Sequence, residues 1–354
     1  MKLLLSILVF AVLFNLSSSR AQAATLAVNN DCTLAEAIGA VNGAADGSGC
    51  VKTGAAYGTD DKINIPTGTI TLSADLPALT KAIEITGAGA NSTTINTAGN
   101  ESFRYSSANN NEQDTLDFKI SKLKITNAEQ YAIFISGARK VEFEGLEITE
   151  SGEGIRISNS SDVLIEDCYI HNNTTEAVLD DTTAGLAIEL STKASNGEAQ
   201  AIVRDTRINN NTGARSGALL MSNEWIYGTN DQPLKPYFQL QRVQLLNNQA
   251  TDQSGLLVIQ SGGPLAQNSM ELSVDATTVA NNTVDVVVPE DAVNASVPIL
   301  AGFLMTGKLT SDHHFTNVTV ANNAAINTSP DDTRRTLAGF YASLAVAGSN
   351  MERF

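Results

Sequence analysis

Three stretches of the chain bring carboxylates close together. Glu176, Asp180 and Asp181 fall in the first, Glu290 and Asp291 in the second, and Asp331, Asp332, Arg334 and Arg335 in the third. Carboxylates beside guanidinium groups are what a calcium-assisted lyase of acidic polysaccharides needs. The cation and the Arg offset uronate charge, and a base removes the proton α to the carboxylate. The same residues are also what solvated loops of an acidic protein contain, and that reading is preferred, because no Asp-x-Asp-x-Asp run or calcium-binding nonapeptide accompanies them. No metal site or cofactor is therefore expected, and calcium enters only under the lyase reading.

A second chemistry is suggested by Trp225 and Tyr227 in the stretch Ser222 to Pro236, with Tyr237 just beyond, in a chain where aromatic residues make up only 5%. Exposed rings stack on sugar faces, although such a loop more often folds back and buries them. The three histidines, His171, His313 and His314, accompany no Ser or Cys nucleophile motif and no zinc spacing. Cys168 takes an inward position in the repeat described next and reads as a buried thiol. Arg204, Arg207 and Arg215 read as wall charges paired with neighbouring acids.

What would position these groups is a repeat. Apolar residues fall at Phe118, Ile120, Leu123 and Ile125, again at Val141, Phe143, Leu146 and Ile148, and again at Val163, Ile165, Cys168 and Ile170. Steps of two are the same-face steps of a strand, and the intervening step of three turns a corner without losing the inward face. The template recurs from Ala201, Phe238, Leu272 and His313. A coil of this length cannot bury its own apolar face and must stack on neighbours about 4.8 Å away. A third segment, mostly opened by Gly, supplies another wall at Ala132–Ile135, Gly154–Ile157, Gly217–Leu220 and Gly255–Val258. Three short strands per coil make an all-β solenoid, a parallel β-helix.

An Asn pair follows most copies: Asn172 and Asn173, Asn210 and Asn211, Asn247 and Asn248, Asn281 and Asn282, Asn322 and Asn323. Asn accepts the left-handed backbone of a sharp corner, and stacked amides hydrogen-bond up a ladder. The first of each pair, Asn172, Asn210, Asn247, Asn281 and Asn322, is expected to form that ladder. Insertions between the Asn corner and the Gly strand, at 174–184, 283–301 and 324–338, carry the acidic stretches and emerge on one side of the solenoid. The 222–236 stretch follows the Gly strand and is expected on another side.

Residues 1–23 hold Lys2, an apolar run from Leu3 to Leu16, and Ala21-Gln22-Ala23, the features of a cleavable secretory signal. No second long apolar stretch follows, so no transmembrane span is expected in the mature chain. Removing the signal takes the net charge from −16 to −18. Acidity of this size argues against nucleic acid or anionic lipid as partner. Residues 24–60 read as a cap over the open end of the solenoid. Thr33 and Glu36 form a capping box before an amphipathic helix with Leu34, Ala37, Ile38 and Val41 on one face, and Cys32 and Cys50 pair across it in an oxidising compartment.

Asp31-Cys32-Thr33-Leu34-Ala35-Glu36-Ala37-Ile38, with Asn42, resembles the CSLREA-type cap of exported bacterial right-handed parallel β-helix proteins of the pectate-lyase-like superfamily. The stretches Asp61–Pro66, Gly68–Leu72 and Ile83–Ala90 are similar to that family's first coils, while Ala35 stands where the family usually has Arg. The resemblance implies the fold, export and surface exposure, and no particular reaction. The solenoid is expected to run from 61 to 354. It lacks a capping helix at its C-terminal end, so either a neighbouring molecule covers that edge or further coils belong there, the latter being preferred. Two functions compete: a secreted or cell-surface, adhesin-like protein that binds polysaccharide or cell-surface glycan without catalysis, and a polysaccharide lyase, hydrolase or epimerase. The first is preferred.

Overall fold

The structure, a computed structural model, describes residues 23–344 apart from 48, 59, 108–115, 176–182, 191–197, 214–215, 223–234, 251–253, 260–270, 287–298, 308–312 and 328–335. The apolar template becomes two walls. Asp117–Ser121, Lys140–Glu144, Asp162–Glu166 and their successors form an 11-stranded first wall, and Lys124–Thr126, Glu147–Thr149, Tyr169–His171 and theirs form a nine-stranded second wall. The Gly-announced segments form an eight-stranded third wall running from Phe103–Ser106 to Phe340–Leu344. Pairing between coils is parallel and in register: Val141 lies between Phe118 and Val163, and Phe143 between Ile120 and Ile165. All six are buried in one continuous core that extends from Leu26 beneath the cap to Met305. The Gly that opens a third-wall strand has a local cause. A Cβ on Gly185 would lie 2.1 Å from the Ala218 carbonyl oxygen, so a side chain there would push the coils apart.

The step of three between the first two walls is a left-handed residue. Lys122, Gly145, Asp167, Asp205, Arg242, Ala276 and Asn317 all have φ between 48° and 62°. Apart from Asn317 in the last described coil, their N–H groups donate to the next coil, as from Lys122 to Glu144 (2.9 Å) and from Asp205 to Gln241 (3.0 Å), so the hydrogen-bond ladder continues around the corner.

The second corner divides its work between the two Asn residues, which corrects the ladder assignment made above. Asn172, Asn210, Asn247, Asn281 and Asn322 supply the left-handed backbone, with φ of 55–57°, and their side chains are exposed. The stacked amides belong to the second of each pair. Asn173 Nδ2 donates to Asn211 Oδ1, Asn211 Nδ2 to Asn248 Oδ1, Asn248 Nδ2 to Asn282 Oδ1 (3.0 Å each) and Asn282 Nδ2 to Asn323 Oδ1 (2.9 Å). The left-handed residue inverts the alternation of side chains, and its successor therefore points inward. Each inward amide also donates to a core carbonyl, as from Asn248 to Ile208 (3.0 Å), and accepts the backbone N–H of its lower neighbour.

Three strands per coil understates the upper half. Beyond the Asn corner, Thr212–Gly213, Gln249–Ala250, Thr283–Val286 and Ala324–Asn327 form a four-stranded sheet, and Ile299–Leu300 pairs with Thr336–Leu337. The expected insertions at 283–301 and 324–338 thus begin and end in paired strands.

At the N-terminal end helix α1, Leu34–Gly43, lies over the first coil. Its capping box is present: Glu36 N–H donates to Thr33 Oγ1 (3.3 Å) and Thr33 N–H to Glu36 Oε2 (2.9 Å). Leu34, Ala37, Ile38 and Val41 are buried, and Cys32 and Cys50 are disulfide-bonded. Asn42 ties the helix to the solenoid by donating to the Ala78 carbonyl (2.8 Å) and accepting from Thr80 N–H (2.9 Å). Ala24–Ala27 enters the first wall as its first parallel strand, and Thr53–Gly54 closes that edge antiparallel.

Candidate functional site

The three walls present different outer faces. On the first wall, charges of adjacent coils are paired: Lys62 with Glu84 (2.6 Å), Lys119 with Glu144 (3.5 Å), Arg139 with Asp117, Arg204 with Glu166 (2.7 Å), and Arg242 with Asp205 (2.5 Å), while Lys140 pairs with Glu142 along its own strand (2.5 Å). Arg242 holds the Asp205 carboxyl below its ordinary range by hydrogen bonding and charge. Arg204 is thus the wall charge expected. Such exposed pairs contribute about 0–1 kcal/mol each.

The second wall carries a polar column that is also satisfied internally. Lys124 Nζ lies 2.8 Å from Glu147 Oε1, which also meets His171 Nε2 at 3.3 Å, and Thr149 Oγ1 meets His171 Nδ1 at 3.3 Å. His171 stacks on Tyr169 at 3.9 Å, and Arg207 lies over the Tyr169 ring at 5.4 Å while donating to Gln244 (3.2 Å). Arg207 therefore sits on an aromatic ring and an amide, not on an acid. Burial lowers the His171 pKa against the pull of Glu147, and the ring stays neutral at pH 7.

The third wall differs. Its outward residues run in register from Arg104 through Phe134, Arg156, Ala187, Leu220 and Leu257 to Leu304. The last four are buried, but Arg104, Phe134 and Arg156 keep contact with solvent. The Arg104 guanidinium stands 5.6 Å from the Phe134 ring centroid and pairs with Glu101 (3.0 Å). Tyr131 packs against Phe134 at 5.1 Å, and Arg156 donates to the Tyr131 hydroxyl. Burial, and then the nearby Glu153 charge, raise the Tyr131 pKa, so the phenol stays protonated.

Glu153 is 2% exposed. It accepts the Thr183 N–H, and its Oε2 lies 3.9 Å from Arg156 Nη1 but has no hydrogen bond. Burial lifts this carboxyl to about 7, against the lowering pull of Arg156. Two guanidinium groups and two aromatic rings thus meet on a solvent-contacting stretch of the third-wall face, beside one buried carboxyl that titrates near neutrality.

The chain leaves this wall along both of its borders. Segments that enter it return from the Asn corner, and segments that leave it run to the first wall after Ser106, Leu190, Ser222, Ile259 and Gly307. The insertions that begin after Asn173, Asn282 and Asn323 thus depart at one border of this face, and the one that begins after Ser222 departs at the other. Asp180, Asp181, Glu290, Asp291, Asp331, Asp332, Arg334, Arg335, Trp225 and Tyr227 lie outside the described residues, as do Glu176 and Arg215.

Cys168 is buried and free, and burial pushes its thiol up to about 12, which suits packing and not nucleophilic work. Among the described residues no three His, Cys, Asp or Glu side chains converge on a common point, and no helix is long and apolar enough to cross a membrane.

No curated protein matches the chain. Among solved structures, the catalytic domain of GH87 alpha-1,3-glucanase in complex with nigerose aligns with a TM-score of 0.33 and 14% identity over 92% of this chain and 68% of that one. The model of the family described as "Right handed beta helix region" matches residues 105–343, which take in the stacked coils and both corners just described. The chain belongs to the right-handed β-helix family.

Proposed function

We propose that this protein is exported and binds glycan without catalysis on the open stretch of its third wall. The observation that carries the reading is the grouping of Phe134, Tyr131, Arg104 and Arg156 on an uncovered part of that wall, bordered on both sides by points where the chain leaves it. An aromatic ring takes the apolar face of a pyranose, and a guanidinium donates in pairs to hydroxyl or carboxylate oxygens. Export is supported by the Cys32–Cys50 disulfide, which persists in an oxidising compartment. The test is affinity electrophoresis through gels containing pectin, alginate, α-glucan and other polysaccharides. At least one polymer should retard the protein, and Phe134→Ala should weaken that retardation about tenfold, the loss of roughly 1.4 kcal/mol. Free migration in every gel would remove the proposal.

A polysaccharide lyase, hydrolase or epimerase is the second reading, favoured by Glu153, whose carboxyl titrates near neutrality beside Arg156 and Tyr131. Unsaturated product absorbing near 235 nm, with or without calcium, or new reducing ends, both abolished by Glu153→Gln, would establish it over the binding reading.

A further inference from the structure

One inward column of the first wall runs from Asp61 through Ile83, Phe118, Val141 and Val163 to Ala201, each residue in register with the one before it. All six are buried, and five of them are apolar. Asp61 is 0% exposed at a position where the following coils place Ile, Phe and Val. The first parallel strand lies directly beside it: Thr25 pairs with Lys62, which sets Ala24 against Asp61.

A carboxylate in the core has lost its water and needs hydrogen bonds and a counter-charge in exchange. Asp61 has the hydrogen bonds. Ala24 N–H donates to Oδ1 (3.1 Å), and Gly58 N–H lies 3.1 Å from both Oδ1 and Oδ2. It has no counter-charge among the described residues: Lys62, next to it in the strand, faces outward and pairs with Glu84 (2.6 Å), and no other Lys or Arg forms an ion pair with it.

We propose that the Ala23–Ala24 bond is a processing site, and that the ammonium group its cleavage creates on Ala24 is the counter-ion of Asp61. This rests on the export reading, under which the signal segment ends at Ala21-Gln22-Ala23. A leader peptidase would hydrolyse the amide with one water: the Ala23 carbonyl carbon takes the oxygen and departs as a carboxylate, and the Ala24 nitrogen takes both hydrogens and becomes an ammonium. That nitrogen already stands 3.1 Å from Asp61 Oδ1, so a charged donor replaces a neutral one in place. Pairing of Thr25 with Lys62 on one side and of Ala24 with Gly54 on the other fixes the strand there. Removal of the signal and stability of the cap are thereby linked. Uncut, the first coil buries a carboxylate without a counter-charge; cut, it holds an ion pair.

The test expresses the full chain, with its signal segment, in an exporting bacterium, as the natural sequence, as Asp61→Asn, and each again with Gly-Ser inserted between Ala23 and Ala24. Intact mass of the exported natural chain should place its first residue at Ala24. At pH 7 its α-amine should react with cyanate about tenfold more slowly than that of the Gly-Ser chain, read on the N-terminal peptide, because an ion-paired amine keeps its proton. The insertion should lower the urea midpoint of the natural chain and leave that of Asp61→Asn no lower, since there the pair is already lost. With an amide N–H at Ala24 the inserted chain keeps the hydrogen bond described above, so it folds, and the first comparison stands even where Asp61→Asn does not fold. An exported chain that begins at another residue, an α-amine as reactive as that of the Gly-Ser chain, or an insertion equally damaging in Asp61→Asn would overturn the proposal and leave export standing. A chain that keeps its signal segment would remove export and the proposal together.

Discussion

Glu153 should make this protein less stable as pH rises from 5 to 8. Its carboxyl titrates near 7 in the folded chain, against an ordinary value of 4.5. Below pH 4.5 both folded and unfolded chains hold the proton and the residue contributes nothing. Between 4.5 and 7 the unfolded chain releases the proton while the folded chain keeps it, and stability falls. Above 7 both are ionised and the deficit is constant. The full deficit is about 3 kcal/mol, most of which develops between pH 5 and pH 8. Glu153→Gln keeps the shape and removes the titration. Equilibrium urea unfolding followed by circular dichroism, on both proteins at pH 5 and pH 8, isolates this residue, because Glu147, His171 and every other titrating group cancel in the double difference. The variant should gain about 2–3 kcal/mol on the wild type between the two pH values. A double difference within about 0.5 kcal/mol of zero would refute the buried, unpaired carboxyl, since errors of single measurements are of that order.

The two residues of an Asn pair should respond differently. Asn248→Leu removes one amide that makes bonds to Ile208, Asn211 and Asn282, and should cost about 3–5 kcal/mol in unfolding free energy. Asn247→Leu strains only a left-handed backbone, at about 1 kcal/mol, and Asn247→Gly should be near neutral; equal costs at 247 and 248 would contradict the division of labour. Reducing Cys32–Cys50, whose partners are 18 residues apart, should lower stability by about 3 kcal/mol on the loop-entropy model and lower the melting temperature. Ellman's reagent should find no reactive thiol in the native protein, one in denaturant, and three after reduction; rapid native labelling would mean that Cys168 is not sealed in the core.

The walls and the first corner were legible because inward residues must recur at every second position on a strand, and one left-handed residue shifts that count by one. The identity of the corner residue carried little signal, since Lys122, Asp205, Arg242 and Ala276 all serve. The Asn pairs were visible, but which amide is buried depends on the inversion of side-chain direction at the corner, and both members have the same chemistry. Arg104, Phe134 and Arg156 were missed. Each looks like an ordinary outward residue alone, and only aligning the three consecutive third-wall strands at equal offset would have placed them in one column. Nothing local to the sequence marks Glu153, since its burial comes from neighbours distant along the chain.

The left-handed corner between the first and second walls has the same form in seven consecutive coils, with the ladder unbroken through it. In these seven coils every added length of chain enters at the other two bends. The first two walls therefore act as a fixed spine with a constant register, and the borders of the third wall are where length varies. A descendant of this sequence could exchange whole segments there, while each new segment inherits a frame already spaced and aligned by the spine.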